Sequence, residues 1–120
     1  MSEIQKTKMY DLEERTFLFS KKVRDFVRQL QKTIGNIEDC KQLIRSSGSV
    51  GANYIEANEA FSKKDFILRA KICRKEAKES RYWLRLVHID ETELEKERND
   101  LVREVTELMN IFGSIIRKSE

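Results

Sequence analysis

The stretch Arg45–Leu68, RSSGSVGANYIEANEAFSKKDFIL, decides the fold. Ser47, Gly48, Gly51 and Ala52 fall on one helix face, with Ser47 one turn from Gly51 and Gly48 one turn from Ala52. A loop needs no such spacing, whereas a helix packed closely on a neighbour does. Each interior glycine costs about 1 kcal/mol relative to alanine in a helix. A continuous helix that keeps both therefore implies a close contact with a neighbouring helix, and oligomerisation through this face and the helices flanking it is expected, because a lone bundle needs Ser47, Gly48, Gly51 and Ala52 less than a close subunit contact does. Asn53 and Glu56 follow about one turn apart. An unpartnered buried amide or carboxylate costs at least about 1–3 kcal/mol, so both are expected to be hydrogen-bonded at that contact. Ser62-Lys63-Lys64-Asp65 then starts a new helix, with Ser62 as N-cap and Asp65 in the position of a capping-box acid.

The same pattern extends outward. The chain has 120 residues, no proline, four glycines and 38 % charged residues against 39 % hydrophobic ones, the balance of long amphipathic helices in one all-α domain, 1–120. Alternating strand patterns and hairpin dipeptides are absent from it.

Four helices are predicted, at about 11–32, 37–58, 63–88 and 93–117. Leu12, Phe19, Val23, Phe26 and Leu30 form the inward stripe of the first, which Gly35-Asn36 is expected to end. Ile37, Cys40, Ile44, Ser47, Gly51 and Ile55 form that of the second. The third has Phe66, Ala70, Cys73, Ala77 and Leu84; the fourth has Leu94, Leu101, Val105, Leu108, Phe112 and Ile115, with Thr92 as a candidate cap. Helices of this length are about 33–39 Å long, and their short connections force an up-down-up-down antiparallel four-helix bundle.

Charge is unevenly spread. Lys63 to Leu86 holds nine basic and three acidic residues, while Asp90 to Glu120 holds five basic and nine acidic ones. Lys64, Lys71, Lys75, Lys78, Tyr82 and Arg85 fall around the outer surface of the third helix, a pattern suited to a phosphate backbone. Two features oppose that reading. Glu76 and Glu79 are expected to interrupt the face and pair with neighbours, and the acidic fourth helix would cancel the field if its charges lay beside the third. The competing expectation is a solvated or intersubunit face.

Chemistry is sparsely signalled. The single histidine, His88, follows Arg81 at a spacing like the loose Arg-x(4–6)-His of the HEPN ribonucleases, but Tyr82 stands where a polar residue is usual there. A helix-end histidine near the C-terminal dipole is the competing reading. No Glu-x-x-His pair, P-loop or nucleophile elbow is present, and no cofactor or metal is implied. Cys40 and Cys73 lie on apolar faces and are expected to be reduced, buried thiols of a cytoplasmic protein. Neither a signal peptide nor a run of the roughly 20 apolar residues of a membrane span is visible.

Ser49-Val50, Asn53, Glu56, Ser62, Lys64, Asp65 and Phe66 resemble the motif Ser-Ile-x-x-Asn-Ile-Ala-Glu-Gly, then Arg-x-Ser-x-Lys-(Asp/Glu)-Phe, of the four-helix-bundle proteins encoded within intervening sequences of bacterial 23S ribosomal RNA genes. Lys75 to Leu84, KEAKESRYWL, is similar to one branch of that family. Ala57 replaces the family's glycine and Ala60 its arginine, so a ligand contact made by that arginine in relatives is not expected here. Family members resemble the accessory protein of diversity-generating retroelements, a basic pentameric barrel that binds nucleic acid and a reverse transcriptase. The resemblance thus implies a homopentamer without a settled role. The expected function is a self-assembling, non-enzymatic bundle that binds RNA, DNA or a nucleic-acid-handling partner; the alternatives are a HEPN-like ribonuclease using Arg81 and His88, or a purely structural oligomer.

Overall fold

A computed structural model describes residues 2–120, with side chains from Leu12 onward. Four helices make up the described residues: α1 (Ser2–Arg28), α2 (Ile34–Asn58), α3 (Lys63–Leu86) and α4 (Thr92–Ser119). They pack around a square, α1 on α2, α2 on α3, α3 on α4 and α4 on α1, with no contact across the diagonals among the described residues. The bundle measures 45 × 25 × 19 Å, elongated along its helices.

The core follows the predicted stripes on α1, α3 and α4. Phe19, Val23, Phe26, Leu84, Val105, Leu108 and Phe112 are almost wholly removed from water. Burial of side chains this size contributes about 1.5–3 kcal/mol each. Tyr54 meets Phe112 edge-to-face at 5.8 Å between ring centroids. On α4, Ile116 rather than Ile115 is the buried end of the stripe.

On α2 the buried line is rotated from the expected one. Cys40 and Ser47 are buried as expected, but Leu43, Val50, Tyr54 and Ala57 complete the line, while Ile37 and Ile55 face outward and Gly51 is half-buried. Both lines have helical spacing. The one carrying the larger side chains, Leu43 and Tyr54, wins the interior, and the small residues turn to α1.

Two helix ends also differ from expectation. Gly35 and Asn36 do not close α1, which stops at Arg28; they lie in the first turn of α2. Thr33 caps that turn, its hydroxyl accepting from the Asn36 amide at 3.1 Å, and no glycine has positive φ. Thr92 is the first residue of α4, not its cap. Glu91 occupies the cap position without a side-chain cap bond, and Glu93 and Glu95 complement the helix dipole instead. Ser62 does cap α3, accepting from the Asp65 amide at 3.1 Å.

Through the glycines α2 is continuous. A Cβ on Gly51 would lie 3.0 Å from Thr16 Oγ1 and 3.3 Å from Thr16 Cβ. On Gly48 it would meet Arg24 and Ser20 at 3.6 and 3.8 Å. Gly51 therefore lets α1 approach α2 within the chain, whereas a side chain at Gly48 would make only ordinary contacts there. On the α3 side, the buried Ser80 hydroxyl lies 2.9 Å from Ser46 Oγ, joining the two helices by a polar contact.

Candidate nucleic-acid interface

Lys64, Lys71, Lys75, Lys78, Tyr82 and Arg85 recur at steps of three, four and seven, which holds them on one side of α3. All six are exposed, and from Lys64 to Arg85 the line runs about 32 Å along the helix. None of its cations makes an ion pair with a described residue. Tyr82 is 57 % exposed, between Lys78 and Arg85 one turn away on either side, and stands edge-on to Trp83 at 4.9 Å.

The expected interruptions do not fall on this line. Glu76 is only 6 % exposed and points into the α2–α3 seam. Its Oε1 has no hydrogen-bond partner and lies 3.8 Å from Arg45 Nη1. Glu79 is drawn to the same arginine, 3.6 Å from Arg45 Nη2. The signal for Glu76 was in the sequence: it stands three residues after Cys73 and four before Ser80, on the buried line of α3.

Although α4 packs beside α3, its cross-helix acidic contacts go the other way. Glu104 accepts from Arg15 of α1 at 2.6 and 3.1 Å, and Glu97 from Gln29 of α1 at 3.1 and 3.2 Å. Glu93 and Asp100 pair within α4, with Lys96 and Arg103. These four acids are thus matched without touching the α3 cations.

The other singled-out residues have structural surroundings. Asn53 Nδ2 donates to the Ser49 carbonyl and hydroxyl, and its Oδ1 accepts from Arg69 Nη1 at 3.2 Å, tying α2 to α3. Glu56 does not share that role: it is exposed and has no partner among the described residues, because its position faces away from both neighbouring helices. Ser47 is buried with its hydroxyl on the Ile44 carbonyl, while Ala52 is exposed.

Arg81 and His88 are not joined by any hydrogen bond among the described residues. Arg81 donates to Thr106 on α4 at 3.3 Å. His88 lies beyond the end of α3, its exposed imidazole 2.8 Å from Asp90 Oδ1. Both cysteines are buried and free. Burial pushes the Cys73 thiol up to about 12, and Cys40 is raised by burial and by Asp39. Such thiols are packing groups and poor nucleophiles. No helix among the described residues is long and apolar enough to cross a membrane.

The 23S rRNA-intervening sequence proteins match this chain over residues 8–114. The chain belongs to that family. A solved structure from Bacteroides thetaiotaomicron, described as a protein with unknown function from the S23 ribosomal protein family, is 29 % identical with a TM-score of 0.78. The similarity covers 92 % of this chain and 98 % of that one. No curated protein matches the chain. Membership accounts for the Ser49–Phe66 motif: Ser49 and Asn53 form one side-chain contact, and Ser62 caps α3.

Proposed function

We propose that this member of the 23S rRNA-intervening sequence protein family is a non-enzymatic, self-assembling bundle that holds RNA or DNA by its phosphates along the outer face of α3. One observation carries the reading: a line of cations about 32 Å long with no ion-pair partner among the described residues. Lysines and arginines in such a line neutralise phosphates and release counterions, and the exposed Tyr82 offers a stacking surface. Binding of this kind has little sequence preference.

Self-assembly is supported by apolar side chains left in water on the α2–α3 side. Ile34, Ile37 and Leu86 are exposed toward one end of the bundle, and Ile55, Phe61 and Leu68 toward the other. The family resemblance implies a pentamer. Free thiols at both cysteines fit a reducing compartment, the cytoplasm.

Fluorescence anisotropy with labelled single-stranded RNA and DNA at increasing salt tests the binding. The expected result is a log–log salt dependence with a steep negative slope and similar affinities across sequences. No binding at tens of micromolar protein in low salt overturns it. Light scattering tests assembly, and a monomer at micromolar concentration overturns that part.

A further inference from the structure

Two guanidiniums from different helices converge over one bare stretch of backbone. Gly113 is a buried residue of α4. A Cβ placed on it would have as its three nearest neighbours Arg117 Nη1 at 3.4 Å, Arg74 Nε at 3.8 Å and Arg74 Cζ at 3.9 Å. Arg117 comes from the next turn of α4 and Arg74 from the middle of α3. Both are exposed, and neither has a hydrogen-bond or ion-pair partner among the described residues. Arg69 and Arg98, by contrast, have acceptors of their own, Asn53 and the Val87 carbonyl.

Glycine in a helix interior costs stability. At Gly51 the reason is the close approach of Thr16. At Gly113 a Cβ would make only ordinary contacts, at 3.4–3.9 Å, so packing does not demand the glycine, and the groups nearest to it belong to two positively charged side chains. Like charges so placed repel each other unless an anion lies between them, and the planar guanidinium fork matches phosphate oxygens in pairs.

We infer that Arg74 and Arg117 form, across Gly113, a two-guanidinium seat for a phosphate group. The seat stands on these two side chains and not on the lysine line of α3. Arg74 is nevertheless one turn before Lys78, so a strand lying on that line passes within reach of the seat. The phosphate is either a free phosphate or a phosphodiester of such a strand.

Inorganic phosphate is titrated into the full chain at constant ionic strength, with chloride as the balancing anion, while the 31P line width and Tm are read. A labelled oligonucleotide is titrated in parallel. The proteins compared are the wild type, Arg74→Gln/Arg117→Gln, Gly113→Ala and Lys71→Glu/Lys75→Glu, each first shown to be folded by circular dichroism. A free-phosphate seat gives saturable broadening in the wild type and in Lys71→Glu/Lys75→Glu. Affinity then falls about tenfold or more in Arg74→Gln/Arg117→Gln, the loss of charge-assisted hydrogen bonds. It falls less in Gly113→Ala, which keeps both charges but fills the space between them. A phosphodiester seat gives no response to inorganic phosphate, but oligonucleotide affinity is lost to the same degree in the double-glutamine variant. Equal responses of wild type and Arg74→Gln/Arg117→Gln to both ligands overturn the inference. Loss of oligonucleotide binding in Lys71→Glu/Lys75→Glu alone, with wild type and Arg74→Gln/Arg117→Gln responding equally to inorganic phosphate, supports the α3 line and overturns the seat.

Discussion

Asn36 holds His88 by both sides of its backbone: Asn36 Oδ1 accepts from the His88 amide at 2.8 Å, and Nδ2 donates to the His88 carbonyl at 3.0 Å. Nδ2 also donates to the Gln31 carbonyl at 3.0 Å, so one buried amide fastens the α1–α2 and α3–α4 connections together at one end of the bundle. Asn36→Ala removes all three bonds and leaves backbone groups of both loops without their partner. The expected loss is about 2–4 kcal/mol, as several buried hydrogen bonds are broken together. His88→Ala removes only the exposed imidazole and should stay within about 0.5 kcal/mol of the parent. Urea denaturation of the two variants measures the contrast, and equal losses would assign the clamp to the side chain of His88.

Gly51 and Thr16 set how closely α1 approaches α2. Thr16 is 1 % exposed and cannot swing into water. Gly51→Leu should therefore overpack the seam and cost about 1–3 kcal/mol. Thr16→Ala in the same chain removes the Oγ1 that a new Cβ would meet at 3.0 Å. A Gly51→Ala/Thr16→Ala double-mutant cycle should consequently show a favourable coupling of about 0.5 kcal/mol or more. Strictly additive losses in thermal melts would mean that the glycine serves some other neighbour.

Much of this was legible in the sequence, and for definable reasons. On α1, α3 and α4 the large apolar residues lie on one line each, so periodicity identifies the buried face. On α2 two lines compete, and isoleucines at 37 and 55 made the wrong one look more apolar. Small residues gave the close contact but not its partner, because a stripe of glycine and serine fits a helix of the same chain as well as another subunit. Charge was the least legible feature. Glu76 reads as a surface residue by type and as a core residue by register, and register prevailed. The acids of α4 were visible, but their pairing with Arg15 and Gln29 of α1 depends on helix rotation, which composition does not carry.

Glu76 is a buried carboxylate with an unbonded oxygen, held by an arginine at 3.8 Å. Removing such a group is often neutral or stabilising, because its desolvation cost disappears with it. Glu76→Met should leave stability unchanged or raise it by up to about 2 kcal/mol. Arg45→Met, which leaves Glu76 buried without its cation, should destabilise. Calorimetric melts of both variants decide the matter: a large loss in Glu76→Met would show that the carboxylate has a partner essential to the fold.

Cys73 links stability to alkaline pH. Its folded thiol is raised by burial to about 12, against an ordinary value of 9.0. The raised value means that the folded state disfavours the thiolate, so the contribution is fully present below about 9 and is lost progressively as pH rises from there through about 12. Cys73→Ala should show a shallower fall in stability over that window, although it begins from a lower value because a packed side chain is lost. At pH 8 a thiol reagent should modify Cys73 only at the rate of global opening. Rapid labelling of the folded chain would contradict its burial.

The decisive test of the α3 face is a comparison of two charge changes of equal size. Lys71→Glu/Lys75→Glu reverses two unpaired cations in the middle of the basic line. Lys96→Glu/Arg103→Glu reverses two cations of α4 that already pair locally with Glu93 and Asp100. Both variants change net charge by the same amount, and all four positions are exposed, so neither should disturb the core. If nucleic acid responded only to overall charge, the two would weaken binding alike. If it lies along α3, the first should lose at least about tenfold in affinity for every sequence tested, with a salt slope flatter by about two phosphate contacts, because each neutralised phosphate contributes about 0.9 to that slope for a duplex and 0.7 for a single strand. The second should lose far less and keep its slope. Anisotropy titrations at three salt concentrations separate these outcomes, and parallel losses in the two variants would remove the α3 line from consideration as the binding surface.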